Sequence, residues 1–386
     1  MESALLVEAV FWGAFILIVH SYLLYPISLV FLSTARKRYE LKNSAREPKR
    51  KISILISAYN EESAVSKRMS ELLTIDYPEF EIIVGIDGAT DRTYEILREF
   101  NDKRLRVIPF QVNRGKVWVL NDLYKYADGE VIMFSDANTR LDADSLRRLE
   151  RHFDDDKVGG VCGRLELHAK DRAKGSNMES EYWGIESWMK KLEGDQGMTL
   201  GANGAIYAIR RNLFAPFDSK SRIADDFILP LRLIEKGYYF VYEPDALAFE
   251  NSNSFKTEFF RKVKVGEAIM GTLKSSLALM NPFKGFVAYS FWSHKIIRWL
   301  APFLLLIMIF SNLLLLAHGE LYFVSAVAQA AFYFTAAIGI MCLYLGSQIP
   351  VAAHFGYFLI ANAGLVVGMM KSLVKPQDAK WDVSRE

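Results

Sequence analysis

The sequence predicts an α/β domain with a mostly parallel sheet, joined to α-helices that cross a membrane. Three observations predict it. Charge is segregated: from Ser3 to Ala35 the only Asp, Glu, Lys or Arg is Glu8, and from Trp299 to Met370 it is Glu320. Between those oily ends, strand-like apolar runs alternate with helix-like segments, the pattern of βαβ units and parallel pairing. Polar and acidic residues recur at the ends of those strands, where open α/β sheets hold their ligands.

The N-terminal stretch "LLVEAVFWGAFILIVHSYLLYPISLVFL" exceeds the roughly 20 apolar residues that a helix needs to cross a bilayer. It lacks the basic leader and small-residue cleavage site of a secretory signal, so it reads as one permanent helix, kinked or ending near Pro26. "IIRWLAPFLLLIMIFSNLLLLA", "LYFVSAVAQAAFYFTAAIGIMCLYL" and "PVAAHFGYFLIANAGLVVGMM" read as three more, split at "HGE" and "GSQIP". Lys and Arg flank the spans on the side of the charged globule, in "ARKRYELK" and "HKIIRW", which predicts a cytoplasmic globule. One helix before it and three after would put both termini outside, whereas Lys371 and Lys375 argue for a tail inside. Re-entry by one of the last three runs would reconcile the two. "NPFKGFVAYSFWSHKIIRW" mixes aromatics with Lys284, His294, Lys295 and Arg298, the composition of a helix lying in the membrane interface. The expected division is a membrane helix at 1–35, a cytoplasmic domain at 36–280, an interfacial helix at 281–298, about three membrane helices at 299–371 and a polar tail at 372–386.

Within the globule, "KRKISILISAYNEE" is an apolar strand running into a polar turn, and "VSKRMSELLTIDYP" has helical spacing up to Pro78. "FEIIVGIDGATDRT" and "TYEILREFND" repeat the pair. "LRVIPF" is a short strand, "KVWVLNDLYKYADG" a helix and "EVIMFSDAN" the next strand. Three strand ends thus carry Tyr59-Asn60-Glu61, Asp87 with Asp91, and Asp136 with Asn138. Any one of these turns could be an Asx turn or a helix cap; three on one sheet edge point to a ligand.

Several function classes drop out. The two cysteines, Cys162 and Cys342, sit in different regions and support neither a disulfide framework nor a thiolate metal site. The formal charge is +2 with no basic stripe, so no nucleic acid is expected. No G-x-G-x-x-G follows a strand and no G-x-x-x-x-G-K-[ST] occurs, so dinucleotide and P-loop binding are unsupported.

In order, "SAYNEE", "IDGATDRT", "NRGKVWVLN", "FSDAN", "LGANGAIYAIRR" and "ADDFILPLRLIEKG" resemble the motifs of membrane-integrated family 2 glycosyltransferases. That family includes cellulose, chitin and hyaluronan synthases and bacterial exopolysaccharide transferases, and the resemblance runs from about Lys51 to about Gly271. It implies a GT-A fold, Rossmann-like with a mostly parallel sheet, and a nucleoside-diphosphate sugar as donor. By the same resemblance Tyr59, Asn60, Glu61 and Asp87 hold base and ribose, and Lys116 contacts the nucleotide. Asp136 and Asn138 match the D-x-D element that holds Mg²⁺ or Mn²⁺ against the diphosphate. Asn138 replaces a second Asp and leaves the site one charge short. Asp226 matches the general base that deprotonates the acceptor hydroxyl in one inverting displacement, with Asp225 beside it raising the pair's proton affinity. Gly201, Ala202 and Gly204 match the acceptor side. A helix carrying Trp183 and Trp188 suits core or membrane packing better than sugar stacking.

One departure shapes the expected reaction. Processive synthases carry Q-x-x-R-W after the catalytic acid. Here "FFRKVKVGEAIMG" keeps positive charge in Arg261, Lys262 and Lys264, with Arg261 and Lys264 suited to the diphosphate, but lacks the Gln and Trp. The expectation is a metal-dependent inverting hexosyltransferase of the inner (cytoplasmic) membrane. It would move one sugar from a UDP-linked donor to a membrane-associated, lipid-linked saccharide in exopolysaccharide or cell-surface glycan synthesis. The alternatives are a processive synthase acting as a homo-oligomer or with an export partner, and a non-catalytic scaffold or transporter.

Overall fold

The structure is a computed structural model that describes residues 2–35, 39–41, 46–168, 176–218, 223–251, 255–345, 347 and 349–374. Part of the basic flank "ARKRYELK" and the tail from 375 on lie outside the described residues. The N-terminal helix does not end at Pro26. It runs as α1 (Glu2–Val19), a five-residue π turn (His20–Leu24) and α2 (Tyr25–Ala35). Proline removes an amide and crowds the preceding turn. The wide turn just upstream lets the helix pass the ring, with the Tyr25 amide bonding back to His20.

The sheet has eight strands in the order β3-β2-β1-β4-β7-β6-β8-β5. Its first half is parallel: β1 (Ile52–Ala58), β2 (Phe80–Asp87), β3 (Leu105–Phe110) and β4 (Val131–Phe134). Their connections are α3 (Val65–Leu73), α4 (Thr93–Arg98) and α5 (Lys116–Leu123). The second half is mixed. β7 (Tyr207–Arg210) runs antiparallel to β4 and to β6 (Val158–His168), β6 pairs in parallel with β8 (Tyr239–Asn251), and β5 (Arg140–Leu141) caps the edge antiparallel to β8. α6 (Ser145–Glu150), α7 (Ser176–Gly194) and α8 (Asp225–Glu235) belong to this half.

The strands' alternation of two separates the core into layers. Ile52, Ile54 and Ile56 of β1, Ile82 and Val84 of β2 and Val131 and Met133 of β4 share one core with Val65, Met69 and Leu72 of α3. Leu55, Ile83, Ile132 and Phe134 face the other way, onto Val117, Leu120 and Leu123 of α5 and Ile228 and Leu229 of α8. Four of the strands were readable from apolar runs. β5 to β8 were not, because β6 contains three glycines, β7 is four residues long and β8 carries Pro244 among acids.

After β8 come α9 (Phe255–Ser275), α10 (Phe286–Ser290), α11 (Ile297–Leu315), α12 (Glu320–Leu345) and α13 (Pro350–Val374). A π turn over Phe291–Ile296 links α10 to α11, so the segment expected to be a separate interfacial helix continues into the following one. Four helical runs are long and apolar enough to cross a membrane: Glu2–Thr34, Phe286–His318, Glu320–Leu345 and Pro350–Val374.

A buried ionic network fastens the α/β domain to these helices. His294 bonds Glu193 of α7 through Nδ1 at 2.6 Å and Glu186 through Nε2 at 3.2 Å. Lys295 donates to Glu186 at 3.1 Å, and Tyr25 of α2 donates its hydroxyl to Glu193 at 2.7 Å. Burial opposes the Glu186 charge, but Lys295, His294 and Arg298 outweigh it and hold the carboxyl well below the usual range.

Ile54 is fully buried at the centre of the sheet. Ile54→Ala should lower stability by about 2–5 kcal/mol, seen as a clear drop in the melting temperature of the detergent-solubilised protein. An unchanged melting curve would contradict the packing described.

Candidate active site

The parallel pairing of β1, β2 and β4 brings their C-terminal ends to one edge of the sheet. After β1, Asn60 takes a left-handed conformation (φ 53°), which Asn tolerates better than most residues. Its Oδ1 accepts the Thr90 amide at 2.8 Å, tying the first strand end to the second. Glu61 is buried and its amide donates to Thr93 Oγ1 at 2.8 Å, while Tyr59 is partly exposed just beyond the strand. Asp91 accepts the Glu62 and Thr93 amides at 3.0 Å each, an Asx turn that braces the entry to α4.

Asp87 ends β2 with both oxygens occupied. The amides of Arg114 and Gly115 donate to Oδ1 and Oδ2 at 2.8 Å each. Burial still raises its carboxyl above the ordinary value, against those two bonds. Gly115 sits at φ 95°, where a Cβ would strain the backbone, and this turn sends the next residue, Lys116, inward at the start of α5. Asp87, expected at base and ribose, and Lys116, expected to contact the nucleotide, are therefore joined through one short segment, 114–116.

Lys116 is the centre of the edge. Its ammonium lies 2.9 Å from Asp136 Oδ1 and 3.4 Å from Asp225 Oδ2. Burial works against its charge, but Asp136, Asp225 and Asp226 outweigh that and raise its pKa. Asp136 follows β4 and Asn138 is exposed beyond it. Behind them Ser135 is held by two bonds, donating to the Ala205 carbonyl at 2.9 Å and accepting from buried Arg68 at 3.1 Å.

Asp225 and Asp226 are the first two residues of α8, and the helix's N-cap, Ala224, has no side-chain bond to offer. Asp225 is instead fixed by Tyr207, whose hydroxyl donates at 2.7 Å from a ring stacked on Phe134. Asp226 is raised to about 6, by burial first and by Asp225 next, with Lys116 and Lys190 pulling the other way. A proline four residues on, Pro230, cannot donate to the Asp226 carbonyl. That carbonyl accepts the Ala202 amide instead, at 2.7 Å.

This bond docks the loop 200–204 on the helix that carries Asp226. Lys190 of α7 supports the loop from behind, donating to the Ala202 carbonyl at 3.2 Å and to Asn203 Oδ1 at 2.5 Å. A Cβ on Gly201 would stand 3.0 Å from the Phe227 ring. A Cβ on Gly204 would stand 3.4 Å from Asp226 Oδ2, 3.5 Å from Asp136 Oδ2 and 3.7 Å from Lys116 Nζ. The missing side chain leaves a gap walled by two carboxylates and an ammonium.

The structure thus gathers Asp87, Lys116, Asp136, Asp225, Asp226, Ala202 and Gly204 into one connected site. Arg261 and Lys264 lie on α9, where Arg261 pairs with Glu258 at 2.5 Å and sits 5.5 Å from the centre of the Trp183 ring. Sequence reasoning missed Tyr207, Lys190, Arg68 and Pro230. All act through partners distant in sequence, and no local pattern announces them.

Residues 53–214 match the family model described as Glycosyl transferase family 2. The poly-beta-1,6-N-acetyl-D-glucosamine synthase of Staphylococcus epidermidis is 30% identical over 202 residues, covering 51% of this chain and 49% of that protein. The synthase of the same name from Staphylococcus aureus (strain COL) is 26% identical over 229 residues, 58% of this chain and 56% of that one. The chain therefore spans about half the length of the curated relatives it matches. Among solved structures, the mannosyltransferase PcManGT from Pyrobaculum calidifontis, in complex with GDP-Man and Mn²⁺, superposes with a TM-score of 0.71 at 18% identity. The superposition covers 97% of this chain and 99% of that one, a likeness of fold: GT-A.

Gly204→Val should fill the gap and abolish turnover of a sugar-nucleotide donor while leaving the melting temperature near that of the parent. Retained turnover would show that the gap is not where donor and acceptor meet.

Proposed function

We propose that this chain, which carries a family 2 glycosyltransferase domain, moves one sugar from a nucleoside-diphosphate sugar, UDP-linked, to a membrane-associated, lipid-linked saccharide. The observation that carries the reading is the gap at Gly204, where a basic carboxylate, a second carboxylate and an ammonium face one another. Asp226 takes the proton from the acceptor hydroxyl as that oxygen bonds to the anomeric carbon. The bond from that carbon to the diphosphate breaks in the same displacement, so the anomeric centre inverts. Tyr207 and Lys116 fix Asp225 beside Asp226, and burial together with that neighbouring carboxylate raises the base to about 6.

Charge supports a cation partner. Asp136, Asp225 and Asp226 outnumber Lys116 by two charges, and a diphosphate adds more of the same sign. At an effective dielectric of 20, two like charges 4 Å apart repel by about 4 kcal/mol. Among the described residues no group of three His, Cys, Asp or Glu side chains could hold a metal by itself. That donor set fits an ion arriving with the donor, since Mg²⁺ takes one or two carboxylates plus phosphate oxygens and waters. Asp136, with Asn138 nearby, would hold Mg²⁺ or Mn²⁺, which neutralises charge on the leaving diphosphate.

The acceptor reading rests on position. Phe227, next to Asp226, packs 5.5 Å ring to ring on Trp299 of α11, so the loop 200–204 opens beside the base of a candidate membrane helix. A cytoplasmic domain on the inner membrane would meet a lipid-linked saccharide there. The missing Q-x-x-R-W favours single transfer. The names of the Staphylococcus relatives favour a second reading, processive synthesis of an amino-sugar polymer.

Purified protein with Mn²⁺ or Mg²⁺ should release nucleoside diphosphate from one member of a panel of UDP- and GDP-sugars supplied with membrane lipid extract. Asp226→Asn should lose about 10²–10⁴-fold in rate, and a mutant at parental rate would remove Asp226 from the chemistry. Short products support single transfer, while a ladder of long polymer selects the processive reading.

The pH profile tests the same carboxylate. A base raised to about 6 is active above that pH and protonated below it, so kcat/KM should fall as pH drops through about 6. Asp225→Asn removes the like charge and should move that limb to lower pH; a limb that stays in place would mean another group titrates.

A further inference from the structure

We infer that α13 (Pro350–Val374) does not cross the membrane but lies along its surface on the catalytic domain's side, paired with α9 (Phe255–Ser275). By length and composition α13 qualifies as a span. Its contacts argue otherwise. Tyr357 donates its hydroxyl to Glu258 of α9 at 2.9 Å. A Cβ on Gly364 would come 2.8 Å from Lys262 Cβ, and one on Gly266 would meet Gly368 Cα at 3.0 Å and the Leu365 carbonyl oxygen closer still. Gly368 likewise presses on the Val263 carbonyl. Residue numbers rise together on both helices, so the two run side by side in the same direction. His354 also reaches the catalytic domain, bonding Glu181 of α7 at 2.7 Å.

Wherever α9 lies, α13 lies too, from Tyr357 to Gly368. α9 carries Glu258, Arg261, Lys262, Lys264, Glu267 and Lys274, and a helix so charged is excluded from hydrocarbon. Only 350–356 and 369–374 of α13 fall outside the paired stretch, each far short of the roughly 20 residues that a span needs.

The neighbouring helix agrees. α12 closes on the start of α13: Gly339 presses on the Ala352 carbonyl, and a Cβ on Gly356 would lie 3.1 Å from the Ala336 carbonyl. α12 therefore returns to the side where α13 meets the catalytic domain. Large apolar side chains are exposed on both helices, Phe260 and Val265 on α9 and Met370 and Leu373 at the end of α13, as contact with lipid requires. Three crossings then leave the end of α13 on the catalytic domain's side, where Lys371 belongs by the flanking-charge rule.

Single cysteines in the full-length chain test this without any use of turnover. Cys342 is replaced by serine, and Cys162 is buried and left in place. Ser66→Cys marks the catalytic domain, His318→Cys the turn between α11 and α12, and Ser384→Cys the tail. In sealed vesicles a membrane-impermeant maleimide should label Ser384→Cys from the same side as Ser66→Cys and opposite to His318→Cys. Labelling of Ser384→Cys together with His318→Cys would overturn the inference. Nitroxides on Ala363→Cys, mid-α13, and Phe334→Cys, mid-α12, then read depth. The Ala363 label should respond to a water-soluble relaxant and the Phe334 label to oxygen; equal depth would equally overturn it.

Discussion

One ammonium balanced against three carboxylates governs the catalytic edge. Lys116 is drawn inward by Asp136 and Asp225, and everything that delivers it serves that placement: the two amides on Asp87, the glycine turn at 115 and the N-terminus of α5. Such a cluster is tolerable in a buried site only when each charge has a partner. Tyr207 supplies one for Asp225, while burial and the neighbouring Asp225 raise Asp226 to about 6. The carboxylate proposed as base is thus the one whose surroundings favour a proton.

The site's surroundings form a second system, centred on α7. One face of that helix turns Glu186 and Glu193 toward His294 and Lys295 at the base of the membrane helices, and Lys190 toward the loop 202–203. Glu193 reaches both directions, since its other oxygen accepts the Leu200 amide at 3.3 Å. The loop beside Asp226 is thus suspended from the same helix that anchors the domain to the oily helices. The loop 200–204 and the base of those helices are held in a common frame.

How much of this was legible depends on range. β1 to β4 stand out because each is a bounded apolar run, and the acids at their ends follow from chain direction. Asp87, Lys116, Asp136 and the pair at 225–226 are brought together as their shared motif order suggested. β6 and β8 are hidden by glycine, proline and acids, because their pairing with each other, not their composition, makes them strands. The π turns at His20–Leu24 and Phe291–Ile296 leave no trace in composition. Lys190 reads as one more surface lysine until the fold buries it.

The bond from the Ala202 amide to the Asp226 carbonyl, released by Pro230, joins main chain to main chain. It is therefore blind to the side chains on either partner. A chain carrying this imino acid can exchange side chains along the loop 200–204 while the loop keeps its distance from Asp226. Variation in the loop is thereby separated from its spacing to the acid, and the residue that permits the separation is a proline inside the helix.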